Sequence, residues 1–230
     1  MMEKNYMAAI AACSNGLPAG KRQELQRLDK LLEQNNISVR MSRYLYEKSD
    51  GISGSGREKA EELMDFFENP GIRCIFDVSG GDMANEVLGY LDYQKIRESQ
   101  AVFWGYSDLT VLLNAVYAKT GKESVLYQVR NLLYDDGPIR QKEFFGWIKE
   151  KKEALFLLNG NFVQGDHLEG TVIGGNIRCF LKLAGTPYFP DFNDKILFLE
   201  ARSGQVPQMT TFFSQLQQTG AFDKIKGLIL

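Results

Sequence analysis

The sequence predicts an α/β protein, with a doubly wound, mostly parallel sheet over residues 1–152 and a smaller, strand-richer unit over 153–230. Three observations lead there. The first is the stretch Arg73 to Tyr93, RCIFDVSGGDMANEVLGYLDY. Cys74, Ile75, Phe76 and Val78 form an apolar run long enough for a buried strand. Ser79, Gly80 and Gly81 break it, Asp82 is placed to cap the next helix, and Ala84, Val87, Leu88 and Leu91 recur at helical spacing. The second is a repeat of that plan: Ala101–Trp104, then Gly105-Tyr106-Ser107-Asp108-Leu109-Thr110, then an apolar helix through Val116. Alternating strands and helices imply a parallel sheet covered on both faces, with its sites at the carboxyl ends of the strands. The third is a change of composition near residue 153, after which short apolar runs and glycine-rich turns dominate.

In order along the chain, Met7–Cys13 is a first strand and Ser14-Asn15-Gly16-Leu17-Pro18 a turn. Lys21–Gln34 carries Leu25, Leu28, Leu31 and Leu32 on one helical face. Ile37–Met41 alternates as a second strand. Lys48–Gly56 is a polar surface or site-side loop, and Arg57–Asn69 is an amphipathic helix stopped by Pro70-Gly71. The pattern weakens from Glu123, with a charged helix over Arg140–Lys152. Strands are expected at Ala154–Leu158, Gly170–Ile173 and Lys195–Leu199, separated by turns at Asn159-Gly160 and Gly174-Gly175-Asn176. Met209–Leu216 reads as a helix with a stop at Gly220, and Lys226–Leu230 begins one more strand, where an uncapped end suggests an incomplete chain.

Bulk properties narrow the classes. A chain of 230 residues supports one large core or two modest ones. A net charge of -2 without a long basic run argues against a nucleic-acid partner. No apolar stretch reaches a membrane span, and the start of the chain makes a poor secretory signal. Cys13, Cys74 and Cys179 are widely spaced and read as buried thiols, which makes the cytoplasm the expected compartment. With no metal-ligand cluster, Walker loop or full G-x-G-x-x-G, neither a metal nor another cofactor is expected.

A strand, a glycine turn and a helix start direct free amides toward one spot, which suits an anion or the oxyanion of a tetrahedral intermediate, although any βα turn in an α/β domain looks the same. No G-x-S-x-G elbow is present. Ser79 lies before the turn, and Ser107 is placed to cap its helix. Asp108 either faces the site or caps that helix, and capping is the plainer reading. Cys13 ends a strand, where a buried structural thiol is the simpler account. His167 is the chain's one histidine and sits in a polar loop. Glu200 closes the apolar run Ile196–Leu199, where a carboxylate needs a partner or solvent.

An ordered set of blocks resembles the serine-type LD-carboxypeptidase family, which includes the microcin C immunity peptidases. The blocks are Ser53-Gly54 with Arg57 and Ala60, then Ser79-Gly80-Gly81 through Asn85 to Leu91-Asp92-Tyr93, then Gly105–Thr110, Gly174-Gly175-Asn176, Gly185-Thr186-Pro187-Tyr188 and Lys195–Glu200. The resemblance implies two units with a cleft between them, a Ser-Glu-His triad without metal, a small peptide or peptidyl-nucleotide ligand and a homodimer. It puts Glu200 in the place of the triad glutamate and Ala84 in the place of the nucleophile. Backbone amides around Gly81 and Asn85 take the oxyanion hole, with Gly80 and Asp108 as further cleft positions. No residue matches the family's histidine, because His167 lies in another block. Alanine has no group to attack a carbonyl. Three readings remain: a Ser→Ala change in a working peptidase, a natural non-catalytic relative, or a degenerate, shortened one, with the missing histidine favouring a shortened chain.

Overall fold

The computed structural model describes residues 6–150, 152–157, 159–202 and 204–230. Its larger sheet has five parallel strands in the order β2-β1-β3-β4-β5: β1 (Tyr6–Ala11), β2 (Ile37–Met41), β3 (Ile72–Asp77), β4 (Val102–Gly105) and β5 (Val125–Leu126). Side chains on successive residues of a strand point to opposite faces, and this sorts the core into two layers. Ala9, Ala11, Ile75 and Phe103 pack under helices α2 (Gly56–Glu68), α3 (Tyr93–Glu98) and α4 (Thr110–Thr120). Ala8, Ile10, Phe76 and Trp104 pack under α1 (Arg22–Gln34) and α5 (Gly137–Glu150). In that second layer the Trp104 ring lies 5.5 Å from Phe76 and 5.7 Å from Phe144. Burying one such ring contributes about 1.5–3 kcal/mol. The start of α2 is fixed by a capping box in which Ser55 Oγ accepts the Glu58 N–H and the Glu58 carboxylate accepts the Ser55 N–H.

A second sheet has three parallel strands, β6 (Thr171–Asn176), β7 (Lys195–Glu200) and β8 (Gly227–Ile229), in that order. Helices α6 (Ile177–Leu181) and α7 (Val206–Gln218) cover it around Phe180, Leu197 and Leu216. The expectation of a doubly wound parallel sheet with a smaller strand-rich partner holds.

Several local expectations do not hold. Glu153–Phe156 is a short 3-10 helix rather than part of a strand, because Phe156 docks edge-on against Trp147 of α5 with centroids 4.7 Å apart. Leu158, the last residue of that expected strand, lies outside the described residues. The segment after the double glycine is a 3-10 helix, Ala84–Tyr90, whose cap is Met83 without a side-chain bond. Asp82 does not cap it, because its carboxylate is taken by Arg178. Gly174, Gly175 and Asn176 are not a turn but the last residues of β6, paired with Phe198, Leu199 and Glu200. The short elements α3, β5 and α6 stand outside the sequence pattern, although Asp92 and Asn176 cap the two helices with side-chain bonds.

Candidate active site

In the order β2-β1-β3-β4-β5 the chain leaves β1 toward one side and β3 toward the other, which opens a crevice at the carboxyl ends of β1 and β3. The loops after these strands are laced together. The Ser14 N–H donates to Ser79 Oγ at 3.0 Å, the Asn15 N–H to the Gly80 carbonyl at 3.2 Å, and the Asp82 N–H to Asn15 Oδ1 at 2.9 Å. Gly81 has φ +129°, and a Cβ there would overlap the Asn15 side chain, so only glycine fits. Beneath them Asp77, 1% exposed, accepts the Cys13 N–H at 2.7 Å, the Ser79 N–H at 2.8 Å and the Ser79 hydroxyl at 2.6 Å. Burial is the chief force pushing the Asp77 carboxyl up, and these hydrogen bonds oppose it. Burial, then the Asp77 charge, pushes the Cys13 thiol far up, so Cys13 is a buried packing residue and not a thiolate. Ser79 is buried and spent on Asp77 and Ser14.

Asp108 is the departure with the most consequence. It is fully buried and does not cap the helix that follows it. Its Oδ2 accepts the Ala84 N–H at 2.9 Å and the Ser14 hydroxyl at 2.6 Å, while Oδ1 accepts Lys182 Nζ at 2.6 Å. The preceding Ser107 holds φ +55°, a left-handed conformation unusual for serine, and a Cβ on Gly105 would come within 2.6 Å of Leu109 Cβ. The tight loop turns Asp108 inward.

Two cations of the second unit grip the same turn. Lys182 Nζ also donates to the Asp82 carbonyl at 2.8 Å; Arg178 pairs with the Asp82 carboxylate and donates to the Gly81 carbonyl at 3.2 Å. The Arg178 hydrogen bond, ahead of the charges of Arg178 and Lys182, holds the Asp82 carboxyl below its ordinary value. A depressed folded value means that this pair stabilises the protein above the ordinary aspartate value and is lost as pH falls through the folded one, below about pH 4. Asp82 is 67% exposed, so the contribution is below about 1 kcal/mol. Arg178→Gln is expected to flatten the acid limb of stability by that amount, read from urea midpoints across the acid range.

Of the backbone donors around the turn, those of Asp82, Ala84 and Glu86 are taken. The Gly81, Met83 and Asn85 amides carry no partner among the described residues. Ala84 itself is fully buried, in the same apolar layer as Val87 and Leu88.

Glu200 ends β7 directly opposite Asn176. Its Oε1 is buried without a hydrogen-bond partner among the described residues. The Tyr106 phenol is pushed up first by burial and then by the charge and hydrogen bonding of Glu200. One loop therefore reaches both sides of the crevice: the Asp108 carboxylate holds the Ala84 N–H, and Thr110 Oγ1 accepts the Asn176 N–H at 3.0 Å. His167 is not brought here. It precedes the amino end of β6, whereas Glu200 pairs with the carboxyl end, and its side chain is 78% exposed. Among the described residues no group of three or more His, Cys, Asp or Glu is placed to hold a metal. No described helix is long and apolar enough to cross a membrane. A cavity of about 450 Å³ lies apart from the crevice, along α7 between Val206, Met209, Phe213 and Phe222.

The residues brought to the crevice thus include Gly80, Gly81, Ala84, Asn85, Asp108 and Glu200 from the sequence reading. Sequence reasoning missed Asn15, Asp77, Arg178 and Lys182. The one available signal was the polar Ser14-Asn15 pair at the end of the first strand, the edge where such sheets keep their sites.

A doubly wound sheet with a crevice at its switch point, closed by a second parallel sheet bearing a strand-end carboxylate, defines a class of two-unit α/β proteins. Residues 8–127 match the LD-carboxypeptidase N-terminal domain and residues 169–230 the LD-carboxypeptidase C-terminal domain, and the chain belongs to the LD-carboxypeptidase family. It is 30% identical to the putative carboxypeptidase YocD of Bacillus subtilis, over 86% of this chain and 69% of that protein. It is 29% identical to the microcin C7 self-immunity protein MccF of Escherichia coli, over 77% of this chain and 61% of that protein. The chain therefore spans about three fifths of the immunity protein's length. Among solved structures, MccF in complex with glutamyl sulfamoyl guanosine superposes with a TM-score of 0.81 at 22% identity, over 99% of this chain and 77% of that one. The MccF-like protein from Bacillus anthracis gives 0.79 at 25%, over 99% and 78%.

Proposed function

We propose that the crevice is the site of an amide hydrolase that acts next to a free carboxylate, on murein peptides or on peptidyl- or aminoacyl-nucleotides, and that alanine at position 84 leaves this chain able to bind without turnover. The observation that carries the reading is the loop Gly105–Thr110, which joins the Ala84 backbone to Asn176, the strand partner of Glu200. The unpartnered Glu200 Oε1 calls for a donor, since a buried acceptor left unpaired costs about 1–3 kcal/mol. In the triad logic that donor is an imidazole N–H, with the carboxylate orienting the ring and residue 84 supplying the attacking hydroxyl. The free Gly81 and Asn85 amides support an oxyanion hole there. As the sequence stands the attack has no nucleophile, so the activity retained is ligand capture.

The substrate classes come from the relatives' names: one is a probable murein peptide carboxypeptidase, and MccF has been solved with aspartyl sulfamoyl adenosine. Calorimetry of the chain with aspartyl sulfamoyl adenosine and with a murein tetrapeptide tests the reading, and saturable heat from at least one is expected. Silence from both sinks it. Hydrolysis by an Ala84→Ser variant of the whole natural protein separates a disabled peptidase from a pure binder, for which Glu200→Gln leaves the affinity nearly unchanged. The family resemblance also supports a homodimer, which sedimentation velocity checks. The odd number and wide spacing of the three cysteines support a cytoplasmic location.

A further inference from the structure

We propose that Asp108, with Lys182 as its counter-ion, is the positioning residue of this site: it fixes the direction of the residue-84 N–H and so decides which amides of the turn remain free. The inference rests on the site reading above, but its geometry stands on its own. An oxyanion hole needs some backbone donors aimed outward and the rest consumed, because a competing donor turned into the crevice would bind the anion in the wrong place. Most polar groups of the Gly81–Ala84 turn are consumed, the Met83 carbonyl by the Glu86 N–H. The Asp82 and Ala84 amides go to Asn15 and Asp108, the Gly81 and Asp82 carbonyls go to Arg178 and Lys182, and the Asp82 carboxylate goes to Arg178. Asp108 is the only one of these partners that is fully buried and charged. A buried carboxylate holds its donors in fixed directions only if its charge is balanced, and Lys182 Nζ at 2.6 Å balances it from the second unit. Ser14 supplies the third bond, at 2.6 Å, and ties the loop after β1 to the same oxygen as Ala84.

Backbone conformation points the same way independently. Ser107 is held at φ +55°, and Gly105 is closed against Leu109 so tightly that a Cβ would sit 2.6 Å from the leucine Cβ. A non-glycine residue in such a conformation costs of order 1–3 kcal/mol and persists where the surroundings impose it. What the conformation achieves here is the inward turn of Asp108.

The test reads the Ala84 amide directly and needs no substrate, so it is independent of the hydrolase reading. Amide-resolved NMR of the full chain is recorded for the unchanged protein, for Asp108→Asn and for Lys182→Met. An N–H bound to a carboxylate resonates downfield and exchanges slowly. Asp108→Asn is expected to move the Ala84 resonance upfield and speed its exchange about tenfold or more, with Asn85 and Gly81 shifting and the β1 and β3 amides unmoved. Lys182→Met is expected to move the same three resonances in the same direction by less, and it keeps the question answerable should Asp108→Asn not fold. If the Ala84 resonance stays put in a folded variant, or if exchange rises equally across the large sheet, Asp108 is a structural core residue and the proposal fails.

Discussion

Gly81→Ala is expected to lower the free energy of unfolding by roughly 3 kcal/mol or more, the sum of a strained φ and a steric overlap. Gly81 sits at φ +129°, and an added Cβ meets the Asn15 side chain, whose own Cβ would be 2.9 Å away. Asn15 cannot simply move, because its Oδ1 accepts the Asp82 N–H. The overlap and the strain are separable. In an Asn15→Gly background the same substitution keeps the strain and loses the overlap, so its cost falls by about 1 kcal/mol or more. Urea denaturation of the four proteins of this cycle gives both numbers. Additive costs would mean that the two side chains do not meet.

Asp77→Ala is expected to be as severe, about 3–5 kcal/mol, because it leaves the buried Cys13 and Ser79 amides and the Ser79 hydroxyl without an acceptor. The damage reaches the site, since Ser79 Oγ is also the acceptor for the Ser14 N–H. Asp77→Asn keeps the shape and one acceptor oxygen, and it is expected to cost less. The two also differ in pH dependence. Burial raises the folded Asp77 value above the ordinary one, so the protonated form is favoured in the fold. The unchanged protein therefore loses this part of its stability as pH rises from about 4 through the raised value, whereas Asp77→Asn has no such slope. Parallel pH curves for the two proteins would show that Asp77 does not titrate in the fold.

The sheet and the edge carrying the site were legible because they depend on local patterns. Apolar runs such as Cys74–Val78 and glycine breaks such as Gly80-Gly81 signal strand and turn wherever they fold. The role of Asp108 was not legible. Ser107-Asp108-Leu109-Thr110 carries a local capping signature, and what overrides it are Lys182, 74 residues on, and Ser14, 94 residues back. Gly174-Gly175 read as a turn for a similar reason. These glycines serve a close approach instead: a Cβ on Gly175 would lie 2.6 Å from Thr110 Oγ1. Ala154–Leu158 looked like a strand because apolar residues at that length fit either state, and docking on Trp147 decided for a helical turn at Glu153–Phe156.

The contact of β6 with α4 bears on how the chain melts. Asn114 donates to the Gly174 carbonyl at 2.7 Å and accepts the Gly174 N–H at 2.9 Å, so a side chain of one unit completes the backbone ladder of the other. The apolar layer under α4 also takes in Cys179 and Leu183 from the second unit. Neither sheet can open without stripping partners from its neighbour, so the thermal transition is expected to be single, with calorimetric and van't Hoff enthalpies in agreement. Two sheets that look modular on paper would then behave as one thermodynamic body, formed and lost together.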